Sequence, residues 1–186
     1  MRLFVALVLP AHVKIRLAEL VDRLRPSARG LRWVAPDQLH LTLRFLGDVS
    51  AERLPHVIEA AATPCARTLA IEVRVKGAGS FGARGAIRVL WAGIEGPSGA
   101  LARFQGELEG ELVARGFSAE DRPFSPHLTL GRMREPRRNP LLDSAIRAEA
   151  GFDGGSFRAD RLTLFSSTLT PRGPIYEVVE EWLLGG

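Results

Sequence analysis

The tetrapeptide His-Leu-Thr-Leu occurs twice in this chain, and no other feature limits the possible folds as much. It stands at residues 40–43 and again at 127–130, and these two copies use half of the four histidines in the chain. Because side chains alternate between the faces of a β-strand, each copy places His and Thr on one face and two leucines on the other. The composition makes this coincidence rare, on the order of one in a few thousand. The repeat therefore predicts two similar half-buried strands in a duplicated chain.

Strand patterns outnumber helix patterns along the rest of the sequence, which predicts an α+β fold. Apolar runs and alternation predict strands, whereas apolar residues spaced by three and four predict helices. No stretch rich in Pro, Gly or Ser separates the halves, so we expect one domain over 1–186. The predicted strands are 3–9, 39–46, 69–75, 87–94, 156–166 and 175–183, the helices are 11–24, 51–62, 98–115 and a weaker 141–150, and a glycine-rich connection spans 77–85.

The net charge of +4 comes from arginine, because lysine occurs only at Lys14 and Lys76. Guanidinium groups suit phosphate, but genome composition or adaptation to heat would produce the same bias, so charge alone decides nothing. The single cysteine, Cys65, excludes an intramolecular disulfide and a cysteine-based zinc site. No apolar run reaches the roughly 20 residues of a membrane span. We therefore expect a cytoplasmic protein without a membrane partner.

Two imidazoles facing each other across a cleft suit in-line displacement at phosphorus. One imidazole takes a proton from the nucleophile while the other gives a proton to the leaving oxygen. The hydroxyls of Thr42 and Thr129 are candidates to bind the phosphate oxygens, and Arg132 is a candidate to neutralise their charge. A zinc site needs three or four ligands, and neither tetrapeptide contains Asp, Glu or Cys. A serine hydrolase is disfavoured because the G-x-S-x-G motif is absent from the sequence.

Aromatic and basic residues near the motifs are further candidates for substrate binding. Phe4, Phe45 and Phe81 are able to stack on a base, as aromatic side chains do with single-stranded RNA. Phe45 shares the leucine face and is expected in the core, whereas Phe81 lies in the glycine-rich connection and is the preferred base platform. Arg44 alternates onto the face of His40 and is a second phosphate candidate, with Arg134 as an alternative. His12 and His56 are expected to be ordinary surface residues.

The paired motifs resemble the H-x-T-x signatures of the 2H phosphoesterases, and the branch they most resemble is the bacterial and archaeal RNA 2',3'-cyclic phosphodiesterases. These enzymes were historically named 2'-5' RNA ligases. The resemblance covers nearly the whole chain. It extends to the strings Arg2-Leu3-Phe4-Val5-Ala6, Trp33-Val34, Arg44-Phe45-Leu46-Gly47, Arg88-Val89-Leu90-Trp91 and Phe124-Ser125-Pro126 before the second motif.

The resemblance implies a bilobal fold in which two antiparallel sheets, related by a pseudo-twofold axis, form a central cleft with helices packed outside. It implies hydrolysis of RNA 2',3'-cyclic phosphate ends to 2'-phosphomonoesters without a metal or other cofactor, and weak ligation of tRNA halves. In family usage His40 is then the proton donor and His127 the proton acceptor. Thr42, Thr129 and Arg132 would bind the phosphate, and the protein would be a monomer acting on tRNA halves or oligonucleotides.

Two other functions stay open from the sequence. One is a cyclic phosphodiesterase that acts on a small nucleotide, and steady-state rates on both substrate types would separate it from an RNA enzyme. The other is a non-catalytic module that binds RNA ends. Against the second, Arg or Lys would hold phosphate better than a largely neutral imidazole does.

Overall fold

The computed structural model describes residues 1–95, 99–171 and 173–185, and it confirms the α+β class. No helix within these ranges is both long and apolar enough to cross a membrane. Short 3-10 turns occur at Arg25–Ser27, Pro36–Gln38 and Ala51–Arg53. The described elements are β1 (Arg2–Val8), α1 (Ala11–Leu24), β2 (Leu31–Trp33), β3 (His40–Asp48), α2 (Leu54–Arg67), β4 (Ile71–Phe81), β5 (Ile87–Glu95), α3 (Ala100–Ala114), β6 (His127–Arg137), α4 (Pro140–Ala148), β7 (Asp153–Ala159), β8 (Arg161–Thr170) and β9 (Gly173–Leu183).

The strands form two antiparallel sheets. The first sheet has the order β3-β1-β8-β9, and the second has the order β2-β6-β5-β4-β7. Strand β3 carries the first motif and pairs with β1, the strand directly before helix α1. Strand β6 carries the second motif and pairs with β5, the strand directly before helix α3. The duplication inferred from the two tetrapeptides is therefore present in the topology.

The helices are exchanged between the halves of the chain. Helix α1 follows a strand of the first sheet but packs against β7 of the second, together with α4. Helix α3 follows a strand of the second sheet but packs against α2 and β3, on the side of the first sheet. Each lobe of the bilobal fold is thus a sheet covered by two helices, one of which comes from the other half.

Leucines anchor both motif strands in the core. All four motif leucines, at positions 41, 43, 128 and 130, are at most 4% exposed. Strand β1 is buried on both faces, because Leu3, Val5 and Leu7 join the hydrophobic core on one face and aromatic side chains of the first sheet pack around Phe4 on the other. Helix α1 buries Val13, Leu17 and Leu20 on one side and leaves its charged side in solvent. The apolar pattern of the sequence thus determines which face of each motif strand stays polar.

Several predicted boundaries were wrong for physical reasons. The stretch predicted as one strand over 156–166 is two strands, β7 and β8, which belong to different sheets. Part of the glycine-rich connection, from Gly77 to Phe81, is the second half of β4. Strand β2 was not predicted, because three residues are too few to show a period. The predicted helix start at Ser98 lies outside the described residues.

Candidate active site

Each motif histidine is the first residue of its strand and is held in the same way. The Nδ1 atom of His40 lies 2.7 Å from the carbonyl oxygen of Gln38, and that of His127 lies 2.7 Å from the carbonyl oxygen of Ser125. A carbonyl oxygen only accepts, so Nδ1 donates its proton in both rings. The hydrogen bonds therefore fix the tautomer and leave Nε2 of both histidines available for proton transfer.

Both motif strands carry a β-bulge at the same place. Leu43 has no partner in β1, since Val5 pairs with Arg44 and Ala6 pairs with Thr42. Leu130 has no partner in β5, since Leu90 pairs with Gly131 and Trp91 pairs with Thr129. At a bulge, consecutive side chains point to the same side. In each strand the alternation therefore shifts by one residue immediately after the motif.

The bulges decide which of the predicted residues reach the cleft. After Leu43, Arg44 is also buried and Phe45 is 55% exposed, so the prediction that strict alternation puts Arg44 beside His40 and Phe45 in the core was wrong. After Leu130, Gly131 is buried and Arg132 is exposed, on the face of His127 and Thr129. Arg132 and Phe45 occupy corresponding positions in the two halves.

The Arg44 side chain is held by acidic residues of the second half. Its Nε atom lies 2.8 Å from Oε2 of Glu109 on α3, and its Nη1 atom lies 2.5 Å from Oε2 of Glu120. Nη2 donates to the carbonyl oxygen of Ser118. The guanidinium is thus buried between two carboxylates and a carbonyl oxygen, so Arg44 contributes to the packing between the halves and is not carried into the proposed phosphate site.

The two halves meet at the motifs. Strand β3 contacts β6 directly. Burial lowers the pKa of His40, the hydrogen bond to Gln38 acts in the opposite direction, and the positive charges of Arg132 and Lys14 lower it further. An arginine of the second half thus acts electrostatically on the histidine of the first. Thr42 and Thr129 are half-buried on the same polar faces.

Aromatic side chains surround His40. The ring of Phe4 lies 4.8 Å from that of His40 and stacks on Phe165 at 5.2 Å. Phe4 is only 2% exposed, so it supports the imidazole rather than offering an open face to a base. Tyr176 makes an edge contact with His40 at 5.4 Å, and burial raises its pKa while Arg132 lowers it. Sequence reasoning missed Tyr176, since it belongs to no motif and comes from the far end of the chain.

The ring of Phe81 contacts the second histidine. It lies 4.8 Å from the imidazole of His127 at an interplanar angle of 89°, and 5.3 Å from Trp91. Phe81 is the last residue of β4, so the prediction that it lies in a loop was wrong. Gly79 is required beside it, because a Cβ atom there would lie 2.2 Å from the indole of Trp91. The base-platform role of Phe81 stays a prediction.

The remaining histidines lie elsewhere. His12 and His56 are exposed on α1 and α2, and Nε2 of His12 lies 3.1 Å from the carbonyl oxygen of Ser156. Among residues 1–95, 99–171 and 173–185, no group of three or more His, Cys, Asp or Glu side chains is arranged to hold a metal ion. The buried thiol of Cys65 is far from ionising, because burial raises its pKa to about 12.

Known proteins of similar sequence and structure place the chain in a family. The sequence model described as LigT-like phosphoesterase matches residues 7–91 and 94–176, and each stretch contains one motif. A Methanocaldococcus jannaschii protein named RNA 2',3'-cyclic phosphodiesterase is 34% identical over 98% of this chain and 100% of its own length. A Thermotoga maritima protein of the same name is 34% identical over 97% and 94%.

Solved structures agree with the sequence comparison. The crystal structure of a Thermus thermophilus protein superimposes with a TM-score of 0.83 at 32% identity, covering 100% of this chain and 99% of that one. Escherichia coli LigT complexed with 3'-AMP superimposes with a TM-score of 0.78 at 29% identity, covering 100% and 98%. Matching motifs, topology and nearly full-length similarity lead to one conclusion: the chain belongs to the LigT-like phosphoesterases of the 2H superfamily.

Proposed function

We propose that this protein hydrolyses the 2',3'-cyclic phosphate at RNA 3' ends by acid-base catalysis with His40 and His127. The observation that carries the proposal is that the same backbone hydrogen bond holds each of the two imidazoles. Both Nδ1 atoms donate to the carbonyl two residues earlier, and both Nε2 atoms are left to exchange protons. A pair of such groups on opposite sides of a phosphate is what in-line displacement requires.

In the proposed reaction, Nε2 of His127 takes a proton from water, and the resulting nucleophile attacks phosphorus. The bond from phosphorus to the 3' oxygen breaks, and protonated His40 gives its Nε2 proton to that oxygen. The products are a 2'-phosphomonoester and a free 3' hydroxyl. Thr42 and Thr129 donate hydrogen bonds to the non-bridging oxygens, and Arg132 offsets the charge that develops on them.

The names of the relatives support an RNA substrate for this chain. Several relatives at 32% to 35% identity are named RNA 2',3'-cyclic phosphodiesterase, and E. coli LigT has been crystallised with 3'-AMP, a nucleotide with one phosphate. We extend the proposal to catalysis without a metal ion and to a cytoplasmic monomer built as one bilobal domain. We extend it also to weak 2'-5' ligation of tRNA halves, in which a 5' hydroxyl replaces water as the nucleophile and the 3' oxygen again leaves. Phe81 is proposed to stack on the terminal base beside His127.

The experiment that tests this proposal is turnover of adenosine 2',3'-cyclic phosphate in excess EDTA, with the product position assigned by phosphorus NMR. We expect 2'-AMP from the wild type. His40→Ala and His127→Ala should each lower kcat by roughly 10²- to 10⁴-fold, as for loss of a general acid or base. His12→Ala is the matched control and should be fully active. Activity that EDTA abolishes and a divalent ion restores would overturn the metal-independent mechanism.

The assignment of acid and base is tested through the leaving group. A substrate whose leaving oxygen is already a stable anion needs no general acid. It should therefore restore much of the activity of His40→Ala and little of that of His127→Ala. Rescue of His127→Ala instead would exchange the two roles, and a 3'-phosphate product would reverse the orientation of the substrate in the cleft.

A further inference from the structure

Three arginines share the cleft face of the second sheet beyond the motif. Arg32 on β2 is directly opposite Arg132 on β6, a separation of about 4.5–5.5 Å between Cα atoms in antiparallel pairs. Their neighbours Leu31 and Met133 are paired and buried, so both arginines lie on the opposite, exposed face. Arg134 is two residues further along β6 and exposed on that same face. We call Arg32, Arg132 and Arg134 the arginine row.

The arginine row is electrostatically unfavourable in the free protein. Like charges directly opposite each other in a sheet destabilise it. Although the Arg132 side chain is accessible to solvent, neighbouring groups remove part of its hydration, and this desolvation together with the charge of Arg88 lowers its pKa, while Tyr176 acts in the opposite direction. Within the described ranges no carboxylate lies at ion-pair distance from any member of the row, whereas Arg23, Arg74 and Arg161 each have one. The row is therefore an arrangement that a bound polyanion would stabilise.

The surface beside the row has room for a ligand. Arg32 and Arg134 line an open depression of about 550 Å³ at the end of β2 and β6, together with Arg137 and one carboxylate, Glu135. Arg137 donates to the carbonyl oxygen of Arg29, which fixes its side chain at the rim. Arg132 lies next to this depression, because it pairs with Arg32 across the two strands and follows the His127 motif on β6. Arginine side chains thus extend from the end of the second motif to the edge strand of the second sheet.

We propose that Arg32 and Arg134 form a subsite for the backbone phosphates of the nucleotides that precede the terminal cyclic phosphate. This inference rests on the proposed function and extends it, because it makes an oligonucleotide a better substrate than a mononucleotide. Arg132 and Arg134 are two residues apart along β6, a span of about 6.6 Å that is close to the separation of successive phosphates in a nucleic acid strand, and Arg32 lies beside them on β2. Arginine forks bind phosphate oxygens in pairs, which suits a chain held by its backbone rather than its bases.

A protective role for the charges is the competing explanation. Strand β2 is the edge of its sheet, and charged residues on an edge strand prevent association between sheets. Such a role predicts no dependence of activity on the length of the substrate. It is therefore one of the outcomes that the following experiment separates.

The kinetic test compares adenosine 2',3'-cyclic phosphate with a five-nucleotide RNA ending in the same group. The measured quantity is the ratio of kcat/KM for the oligonucleotide to kcat/KM for the mononucleotide. We expect a ratio well above one for the wild type, and a roughly 3- to 10-fold lower ratio in Arg32→Gln and in Arg134→Gln. The salt dependence of log kcat/KM for the oligonucleotide should become shallower by about 0.7 per arginine removed.

The matched control is Arg158→Gln. Arg158 is an exposed arginine on β7, at the opposite edge of the same sheet and roughly 19 Å from β2 across four strand spacings. The Arg158→Gln substitution removes the same charge, and its ratio of kcat/KM for the oligonucleotide to kcat/KM for the mononucleotide should equal that of the wild type. An equal fall in Arg158→Gln would mean that net charge, rather than a subsite, attracts RNA, and an unchanged ratio in Arg32→Gln and Arg134→Gln would overturn the proposal.

Two further measurements separate an effect on RNA binding at the subsite from an effect on stability and from a failure of the proposed function. At low salt, Arg32→Gln should melt at a higher temperature than the wild type, because it relieves repulsion with Arg132, and a lower melting temperature would contradict the unfavourable pairing. Fluorescence anisotropy with a labelled five-nucleotide RNA ending in a 3'-phosphate measures binding without turnover. If the wild type hydrolyses neither substrate, the proposed function is wrong. The binding assay still tests the subsite, because Arg32→Gln and Arg134→Gln should bind the labelled RNA more weakly than the wild type, and equal binding would overturn the subsite.

Discussion

The imidazole of His40 is partly buried, and we expect its protonation to depend on whether substrate is bound. Burial and the charge of Arg132 both lower its pKa and favour the neutral imidazole in the free protein. A bound cyclic phosphate brings a negative charge to the same place, which offsets Arg132 and stabilises the imidazolium. His40 is thus expected to take up its proton when the substrate binds.

The pH profiles test this coupling. The group that must be protonated should show a lower pKa in the profile of kcat/KM, which reports the free enzyme, than in that of kcat, which reports the complex. NMR titration of the His40 ring should show the same upward shift on adding 2'-AMP. Identical values with and without ligand would mean that the phosphate does not reach the imidazole.

Arg44 illustrates a residue whose role is structural although it adjoins the motif. Arg44→Met should lower the free energy of unfolding by about 2–3 kcal/mol, because it leaves the carboxylate of Glu109 without its cation in a mostly buried place. The folded variant should keep kcat/KM within a few-fold of the wild type. Urea unfolding and steady-state kinetics measure the two effects, and a large loss of kcat/KM in a stable protein would restore Arg44 to the substrate site.

The sequence made Arg132 a phosphate candidate without assigning it to a face of its strand, whereas strict alternation placed Arg44 on the face of His40. The β-bulge directly after each motif reverses what alternation predicts, so Arg44, four residues after His40, leaves the polar face and Arg132, five residues after His127, joins it. A bulge depends on hydrogen bonding to the neighbouring strand, so no local pattern in Leu-Arg-Phe or Leu-Gly-Arg reveals it. The histidines and threonines precede the bulges, and for that reason simple alternation was enough to put them together.

At the scale of the element, Gly131 allows β2 to approach the bulge of β6. A Cβ atom at Gly131 would lie 2.7 Å from Cδ2 of Leu31 and 3.0 Å from the carbonyl oxygen of Arg32. Gly131→Ala should therefore destabilise the protein by about 1–3 kcal/mol and lower kcat/KM, because Arg132 moves with the strand.

Gly106→Ala is the matched control for that substitution. Gly106 is on α3, where a Cβ atom meets nothing within 4 Å, and alanine favours a helix over glycine by roughly 0.5–1 kcal/mol. Thermal unfolding should show opposite signs for the two variants. A Gly131→Ala variant more stable than the wild type would mean that β2 moves away from the added Cβ atom at little cost and does not hold the bulge of β6 in place.

Sheet membership was the part of the fold least accessible to sequence reasoning. The run from Ser156 to Ser166 reads as one strand, because apolar residues continue across Asp160. In the structure the chain turns at Asp160 and passes from the second sheet to the first. Which sheet a strand joins depends on contacts with residues more than a hundred positions away, such as Phe4 with Phe165. Helix α1, whose pattern is local, was predicted with the correct ends.

At the scale of the whole molecule, the exchange of α1 and α3 predicts that the two lobes unfold together. Trp182 lies in the first sheet, and Trp33 and Trp91 lie in the second. In each variant that keeps either Trp182 or Trp91 as the only tryptophan, the urea midpoint measured by fluorescence should equal the midpoint measured by circular dichroism. Separate midpoints would divide the chain into two folding units and contradict the single bilobal domain.

The duplicated topology also allows two matching histidines to differ in their surroundings. In a symmetric dimer of half-length chains, every residue would occur in two identical surroundings, and both imidazoles would have the same proton affinity. Fusion into one polypeptide removes that restriction. Here Tyr176 and Phe4 contact one ring, and Phe81 contacts the other. A gene that carries both copies lets mutation adjust each imidazole separately, which is the condition that the proposed division into a proton donor and a proton acceptor requires.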